Sequence, residues 1–287
     1  MNYITGEKLQ EFTDHSIIFE GQINIRVAMI QLKNTNCEGT LFSPFGSILS
    51  LPEKIIKARS LFVYIYALDM FFNKVYPLLN APFVLVTHNS DDEVNSKYEK
   101  YLNEGKIKRW YSQNINLDHP KLISVPIGIA NSQWGVGEWK HGDIRLLDSI
   151  RNENILKTNL VYKNFDVKTS ISRRLGVLES TQSIPLIRNR SQDQYLRDVA
   201  SSKFNICPMG NGIDTHRMWE SLYLGSIPIV QDCINNRQYQ ELPILMISDW
   251  ESITPEFLEK KYEEISNKKY NYRKMDLEYW KDEITKE

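Results

Sequence analysis

Apolar runs of strand length recur along this chain with amphipathic segments between them, and no other sequence feature limits its possible folds as much. Parallel strands need long crossover connections, usually helices, and those helices cover the sheet, so the strands read as nearly continuous apolar runs. Ile23 to Leu32 is the first run and is expected as a strand. Leu61 to Tyr66 reads as a strand, Asp69 to Leu79 as a helix and Phe83 to Val86 as a strand. Glu93 to Leu102 is a helix closed by Gly105, and Lys108 to Tyr111 and Leu122 to Val125 are two further strands. A stretch rich in Gly, Trp, Asn and Ser between Gly128 and Asp143 marks a junction. Beyond it the rhythm resumes with strand Leu160 to Phe165, helix Ser172 to Leu178, strand Ile184 to Ile187 and helix Gln194 to Ala200. Strand Phe204 to Cys207, helix Thr215 to Leu224, strands Ile227 to Val230 and Ile244 to Ile247, and helices from Pro255 and near Lys274 complete it.

The 287 residues exceed one ordinary domain. The expectation is an α/β protein with a first domain over 1–148, a second over 149–265, and a C-terminal helix over 266–287 that can pack back on the first. With 35 Lys+Arg against 36 Asp+Glu the net charge is −1, which excludes a partner bound through counterion release, so nucleic acid is not expected. Cys37, Cys207 and Cys233 are odd in number and widely spaced, giving neither a disulfide framework nor a metal-binding pair. The start of the chain lacks a basic region followed by an apolar run, and no stretch reaches the ~20 apolar residues of a membrane span. A cytoplasmic protein without an anchor is expected.

Residues 203–230 are the richest in chemistry: a strand, a glycine-bearing loop, a capped helix and another strand. Asp214 or Thr215 can cap the helix, while Gly210 and Gly212 let backbone N–H groups approach a ligand. Free donors and the helix dipole together favour an anion, and a pyrophosphate fits. Arg217 supplies a forked cation for phosphate, and Glu220 can accept both protons of a ribose diol. The alternative is an intrahelical Arg217–Glu220 ion pair beside a purely structural turn.

The run Cys207-Pro208-Met209-Gly210, then Asp214-Thr215-His216-Arg217-Met218-Trp219-Glu220, then Gly225-Ser226-Ile227-Pro228-Ile229-Val230 resembles the carboxyl-terminal signature of exostosin-like glycosyltransferases. The resemblance implies a GT-B fold, two Rossmann-like domains facing across a cleft, with the nucleotide sugar held mainly by the second. It implies an inverting, metal-independent transfer from a UDP-linked donor, UDP-xylose among the options, to an oligosaccharide or glycoprotein acceptor, with no cofactor beyond the sugar nucleotide. It extends with lower specificity over 60–200 and hardly touches 1–50. Family members with a membrane anchor differ from this chain, which is expected to be a compact soluble form of the kind microbes and large DNA viruses encode. His216 lies within the matched helix. Arg173 and Arg188, after strands of the second half, are further candidates for donor contact, each with a surface arginine as the plain alternative.

An inverting transfer needs a base to take the acceptor hydroxyl proton. His88, Asp91 and Asp92 follow an apolar strand at the end where α/β ligands bind, although Ser90 or Asp91 serves equally as a helix cap. Asp69 follows another strand and reads equally as a first-turn carboxylate. Trp110, Gln113, Asn114, His119, Asn131 and Trp134 are types that stack on or hydrogen-bond sugars and are the candidate acceptor contacts, with a buried Trp110 and a turn at His119-Pro120 as the alternative. Two rival functions remain at this point. A methyltransferase is disfavoured by the lack of an early glycine-rich fingerprint. A carbohydrate- or nucleotide-binding module without turnover would tolerate loss of Arg217 and Glu220, and both are present.

Overall fold

The computed structural model describes residues 2–20, 25–132 and 142–286. The chain divides into two compact units, 1–127 with 276–287 and 128–275. The first division thus falls ahead of the 148/149 boundary drawn from sequence.

The first unit runs α1 (Gly6–Glu11), β1 (His15–Phe19), α2 (Ile25–Lys33), β2 (Gly39–Phe42), α3 (Glu53–Ile56), β3 (Ser60–Tyr64), α4 (Leu68–Met70), β4 (Phe83–His88), α5 (Glu99–Asn103), β5 (Ile107–Ser112) and β6 (Leu122–Ser124). Its six strands are parallel, in the order β2-β1-β3-β4-β5-β6. Every residue of β3 and β4 is buried, as expected of central parallel strands. Leu61, Phe62, Val63 and Leu85 are fully withdrawn from water, each contributing about 1.5–3 kcal/mol relative to exposure.

The run expected as a strand at 23–32 is instead the helix α2. Its apolar positions 25, 28, 29 and 32 follow the helical i, i+3, i+4, i+7 spacing. The outer strands β1 and β2 were not expected. Segment 69–79 is helical but broken into α4, a wide turn at Phe71–Val75 and a 3₁₀ turn at Tyr76–Leu78, where Pro77 offers no N–H. The helix expected from Glu93 starts only at Ser96, because Val94 is drawn into a parallel bridge with Ile115. Gly105 closes α5 with a φ of 87°, a left-handed conformation that favours glycine.

The second unit runs α6 (Ile144–Asn152), β7 (Asn159–Tyr162), α7 (Ile171–Ser180), α8 (Gln192–Ala200), β8 (Ser202–Ile206), α9 (His216–Tyr223), β9 (Ile227–Gln231), α10 (Ile234–Arg237), β10 (Leu245–Ile247) and α11 (Pro255–Ser266). Four parallel strands lie in the order β10-β9-β8-β7 over a core that includes Phe204, Ile206, Ile229, Ile253 and Leu258. Ile184 to Ile187 is not a strand. Pro185 has no N–H to give, only Ile187 N–H reaches the Lys163 carbonyl (2.8 Å), and Asn189 turns the chain away with a φ of 54°.

Two lysines in this unit, Lys157 half-buried and Lys163 buried, serve helix ends. Lys157 Nζ donates to the carbonyls of Ala200 (2.7 Å) and Leu224 (3.0 Å), at the C-terminal ends of α8 and α9, and burial brings its pKa down to about 8. Lys163 Nζ donates to the Thr181 carbonyl (2.6 Å) at the end of α7. After a 3₁₀ turn at Tyr272–Met275 the chain returns to the first unit as α12 (Leu277–Thr285). There Leu277 N–H meets the Asn2 carbonyl (3.0 Å), the Tyr111 hydroxyl donates to the Glu283 carbonyl (2.9 Å) and Trp280 is fully buried. Among the described residues no helix is long and apolar enough to cross a membrane.

Candidate functional site

All strands within each sheet are parallel, so their carboxyl ends share one edge, the edge where α/β sheets bind ligands. In the second unit the loop after β8 fills that edge. Cys207 N–H continues the ladder to the Ile229 carbonyl (2.9 Å), and Gly210 N–H to the Gly212 carbonyl (3.0 Å) closes the turn. Asp214 is buried and takes up the Thr215 N–H (2.8 Å) and the indole N–H of Trp219 (2.9 Å), which fixes the entry into α9. His216 Nδ1 donates to the Gly128 carbonyl (2.7 Å), since a carbonyl only accepts.

The caps of this unit divide into two kinds. Asp143, Ser191 and Thr254 cap α6, α8 and α11 through their side chains. Cys233 makes no side-chain cap bond at the short α10, and Ser170 and Thr215, at the starts of α7 and α9, make none either. Gly210 ties these two starts together: a Cβ there would lie 3.2 Å from Arg174 Nη2, 3.8 Å from Thr215 Cγ2 and 4.0 Å from Thr169 Cγ2.

Arg217 stands in the first turn of α9. Its Nη1 is buried with no hydrogen-bond partner among the described residues, and its guanidinium lies over the Tyr195 ring at 5.2 Å. Burial pulls its pKa down, but Tyr195, Cys207 and the Glu220 carboxylate outweigh that and hold it above the ordinary value, so the cation persists. Glu220 is buried and its Oε2 accepts from the Tyr195 hydroxyl (2.7 Å). No ion pair joins Arg217 to Glu220 among the described residues. Arg174 is the second buried guanidinium: Nε donates to the Met209 carbonyl (2.9 Å) and Nη1 to the Asp166 carbonyl (2.8 Å). Burial, with repulsion from Arg217 added, lowers its pKa to about 10. A buried donor left unsatisfied costs about 1–3 kcal/mol, and here it belongs to one of two neighbouring cations, a combination that an anion would satisfy.

The other donor candidates scatter. Arg173 Nη1 donates to the carbonyls of Gly210 (3.3 Å) and Asn211 (2.9 Å), bracing the loop from outside. Arg188 is exposed in the irregular segment that replaced its expected strand. Sequence reasoning gave Arg174 only the surface reading it weighed for Arg173, and it missed Tyr195. Arg174 shares the buried stripe of α7 and its end with Val177 and Thr181, an i, i+3, i+7 pattern readable in advance. Tyr195 carries no comparable signal, because its partner lies 25 residues away.

In the first unit the loop after β4 is held by amides. Asn89 and Asn114 both adopt left-handed backbone, with φ of 60° and 55°. Asn89 N–H donates to Gln113 Oε1 (3.1 Å), Asn114 Nδ2 to the Ser90 carbonyl (3.0 Å), and Val94 N–H to the Asn114 carbonyl (3.0 Å). Gln113 and Asn114 are buried and therefore act as braces, not as exposed sugar contacts. Trp110 is likewise fully buried, its indole N–H on Thr87 Oγ1 (2.8 Å), so it offers no face to a sugar in this structure.

His88 is 1% exposed, with Nε2 on the Pro126 carbonyl (2.9 Å) and Nδ1 beside Asn89 Oδ1 (3.0 Å). Gly6 packs so closely that a Cβ would come within 2.6 Å of that ring nitrogen, which bars a base role for the histidine in this conformation. Asp69 pairs with Lys97 Nζ (2.6 Å) and the Tyr98 hydroxyl (2.9 Å). Partial burial raises its pKa, while those hydrogen bonds and the lysine charge outweigh it and hold the pKa below the carboxylate norm. Asp92 accepts from Ser90 Oγ (3.0 Å). Asp91 is exposed on the braced loop, its carboxylate in no hydrogen bond among the described residues. His119 turns to Asn103 Oδ1 (3.3 Å) and accepts from Lys121 N–H (3.1 Å), and Asn131 is buried. Trp134, with Gly135, Gly137 and Trp139, lies outside the described residues.

Comparison with known proteins bears on the second unit most. Residues 158–286 match the family described as the RXYLT1 C-terminal domain. The chain is also similar to the zebrafish (Danio rerio) protein ribitol-5-phosphate xylosyltransferase 1, 27% identical over 110 residues, which is 34% of this chain and 25% of that protein. The chain thus aligns with about a quarter of that relative's length. The family that matches is named differently from the exostosin-like one that the 207–230 motif resembles.

Proposed function

We propose that this chain is an inverting glycosyltransferase of the GT-B type, in which the second unit binds a nucleoside diphosphate sugar and the first supplies the acceptor site and the base. The observation that carries the reading is the buried Nη1 of Arg217, unpartnered among the described residues, together with Arg174 and the starts of α7 and α9, which no side chain caps. That set of donors suits the two phosphates of a diphosphate, whose leaving charge the arginines neutralise without calling on a metal ion. Glu220 receives the ribose hydroxyls. UDP-xylose is the favoured donor, supported by the similarity to a relative named for xylosyl transfer. Asp91 is the proposed base, because it is exposed and unpaired on a rigid loop, whereas His88 and Asp69 are committed to other partners. It takes the proton of a glycan hydroxyl as that oxygen attacks the anomeric carbon and the bond to the departing diphosphate breaks.

The test is calorimetric titration with UDP, GDP, CMP and S-adenosylmethionine, with and without EDTA, followed by UDP release from UDP-xylose. Binding of one nucleoside diphosphate that EDTA leaves unchanged is expected. Asp91→Asn should lower turnover by about 10²- to 10⁴-fold with donor affinity kept. Binding of S-adenosylmethionine alone would point to methyl transfer, and binding with no turnover on any glycan would leave a binding module.

A further inference from the structure

We propose that Tyr195 is the positioning residue that makes this site select a ribonucleotide over its 2′-deoxy counterpart, an inference that rests on the nucleotide-sugar reading above. Its hydroxyl donates to Glu220 Oε2 at 2.7 Å, while its ring lies under the Arg217 guanidinium at 5.2 Å. One side chain therefore sets both the carboxylate and the cation. Tyr195 is itself fixed: α8 begins in a reciprocal cap between Ser191 and Gln194, and Leu196 and Val199 bury the helix against the unit.

A carboxylate offers about four acceptor positions. The Tyr195 hydroxyl occupies one on Oε2, which stops the Glu220 carboxylate from rotating and leaves the remaining positions at fixed angles. A vicinal diol presents two O–H groups at a fixed spacing, and it gains from such an acceptor only if the carboxylate is already oriented. Burial and the neighbouring Glu220 hold the phenol far above its ordinary pKa, so it remains a donor throughout the working range. No second donor to Glu220 is present among the described residues, which puts the orientation of this carboxylate on Tyr195.

The experiment titrates UDP and 2′-deoxy-UDP into the wild-type chain, Tyr195→Phe and Tyr195→Leu, with thermal melting as the folding control. Tyr195→Phe keeps the ring under Arg217 and removes only the hydroxyl. It should weaken UDP about 10-fold and 2′-deoxy-UDP less than about 2-fold, collapsing the preference for ribose. Tyr195→Leu also removes the support for Arg217 and should weaken both nucleotides. The wild-type preference is readable even if a variant unfolds, and equal wild-type affinities for the two nucleotides overturn the proposal. So does a Tyr195→Phe chain that keeps the wild-type ratio. Wild-type protein that binds neither nucleotide overturns the nucleotide reading itself, a result distinct from either of those.

Discussion

The loops after β4 and β8 hold equivalent places, each at the carboxyl end of an interior strand of a parallel sheet, yet they use their buried polar groups differently. After β4, Gln113 and Asn114 donate and accept against the loop backbone, so burial there yields rigidity. After β8, Asp214 performs a comparable bracing task for Trp219, but Arg217 keeps a buried nitrogen with no partner among the described residues. Buried polar groups are normally satisfied, and one left unsatisfied costs stability that a bound ligand can recover. The contrast is one of charge, since the buried nitrogen after β8 sits on a cation, and it supports the proposed binding role of Arg217 without any appeal to motif. It also relocates the aromatic and amide residues that looked like sugar contacts in the first unit: Trp110, Gln113 and Asn114 belong to the framework.

The sharpest way to break the comparison is to remove one group of each kind. Arg217→Met should lower nucleoside diphosphate affinity about 100-fold while changing unfolding free energy by less than about 1 kcal/mol, because a well-packed apolar side chain replaces a desolvated cation. Calorimetry and urea denaturation on the same preparation read both. A large stability loss with binding retained would make Arg217 framework as well. Gln113→Leu should do the opposite. It leaves the Asn89 N–H without its acceptor and should cost about 1–3 kcal/mol in urea denaturation, with nucleotide affinity unchanged.

How much of this was legible beforehand follows from where the determining contacts lie. The strand, loop, helix, strand order over 203–230 is a local pattern of period and glycine placement, and β8, α9 and β9 appear where that pattern put them. Residues 25–33 were misread because a short apolar run fits either period until its polar positions are counted. β1 and β2 were missed because His15, Ser16, Gly39 and Thr40 interrupt the apolar pattern, although the central sheet buries all of β1. In the site, Arg217 and Glu220 could be picked out from spacing, but their environment could not. The intrahelical ion pair weighed from spacing does not form, since Tyr195 takes the carboxylate and the guanidinium lies over its ring. Arg174 outranks Arg173 because it falls on the buried stripe of α7.

Asp69 provides the mildest test, since it was a candidate base and the structure gives it another task. Its folded pKa is depressed, so the pairing with Lys97 and Tyr98 contributes stability above the unfolded carboxyl pKa of about 3.9 and loses it as pH falls through the folded value. The two charged side chains are 55% and 59% exposed, which limits the contribution to less than about 1 kcal/mol. Asp69→Asn should therefore lower stability slightly at pH 7, flatten the part of the acid profile below about pH 4 that this carboxyl governs, and leave turnover near wild type. Urea denaturation at pH 7 and pH 3 measures the first two, and donor turnover the third. If Asp69→Asn instead abolished turnover while Asp91→Asn did not, the base would move to the loop after β3, and the contrast between a committed and an uncommitted carboxylate would no longer identify the catalytic group.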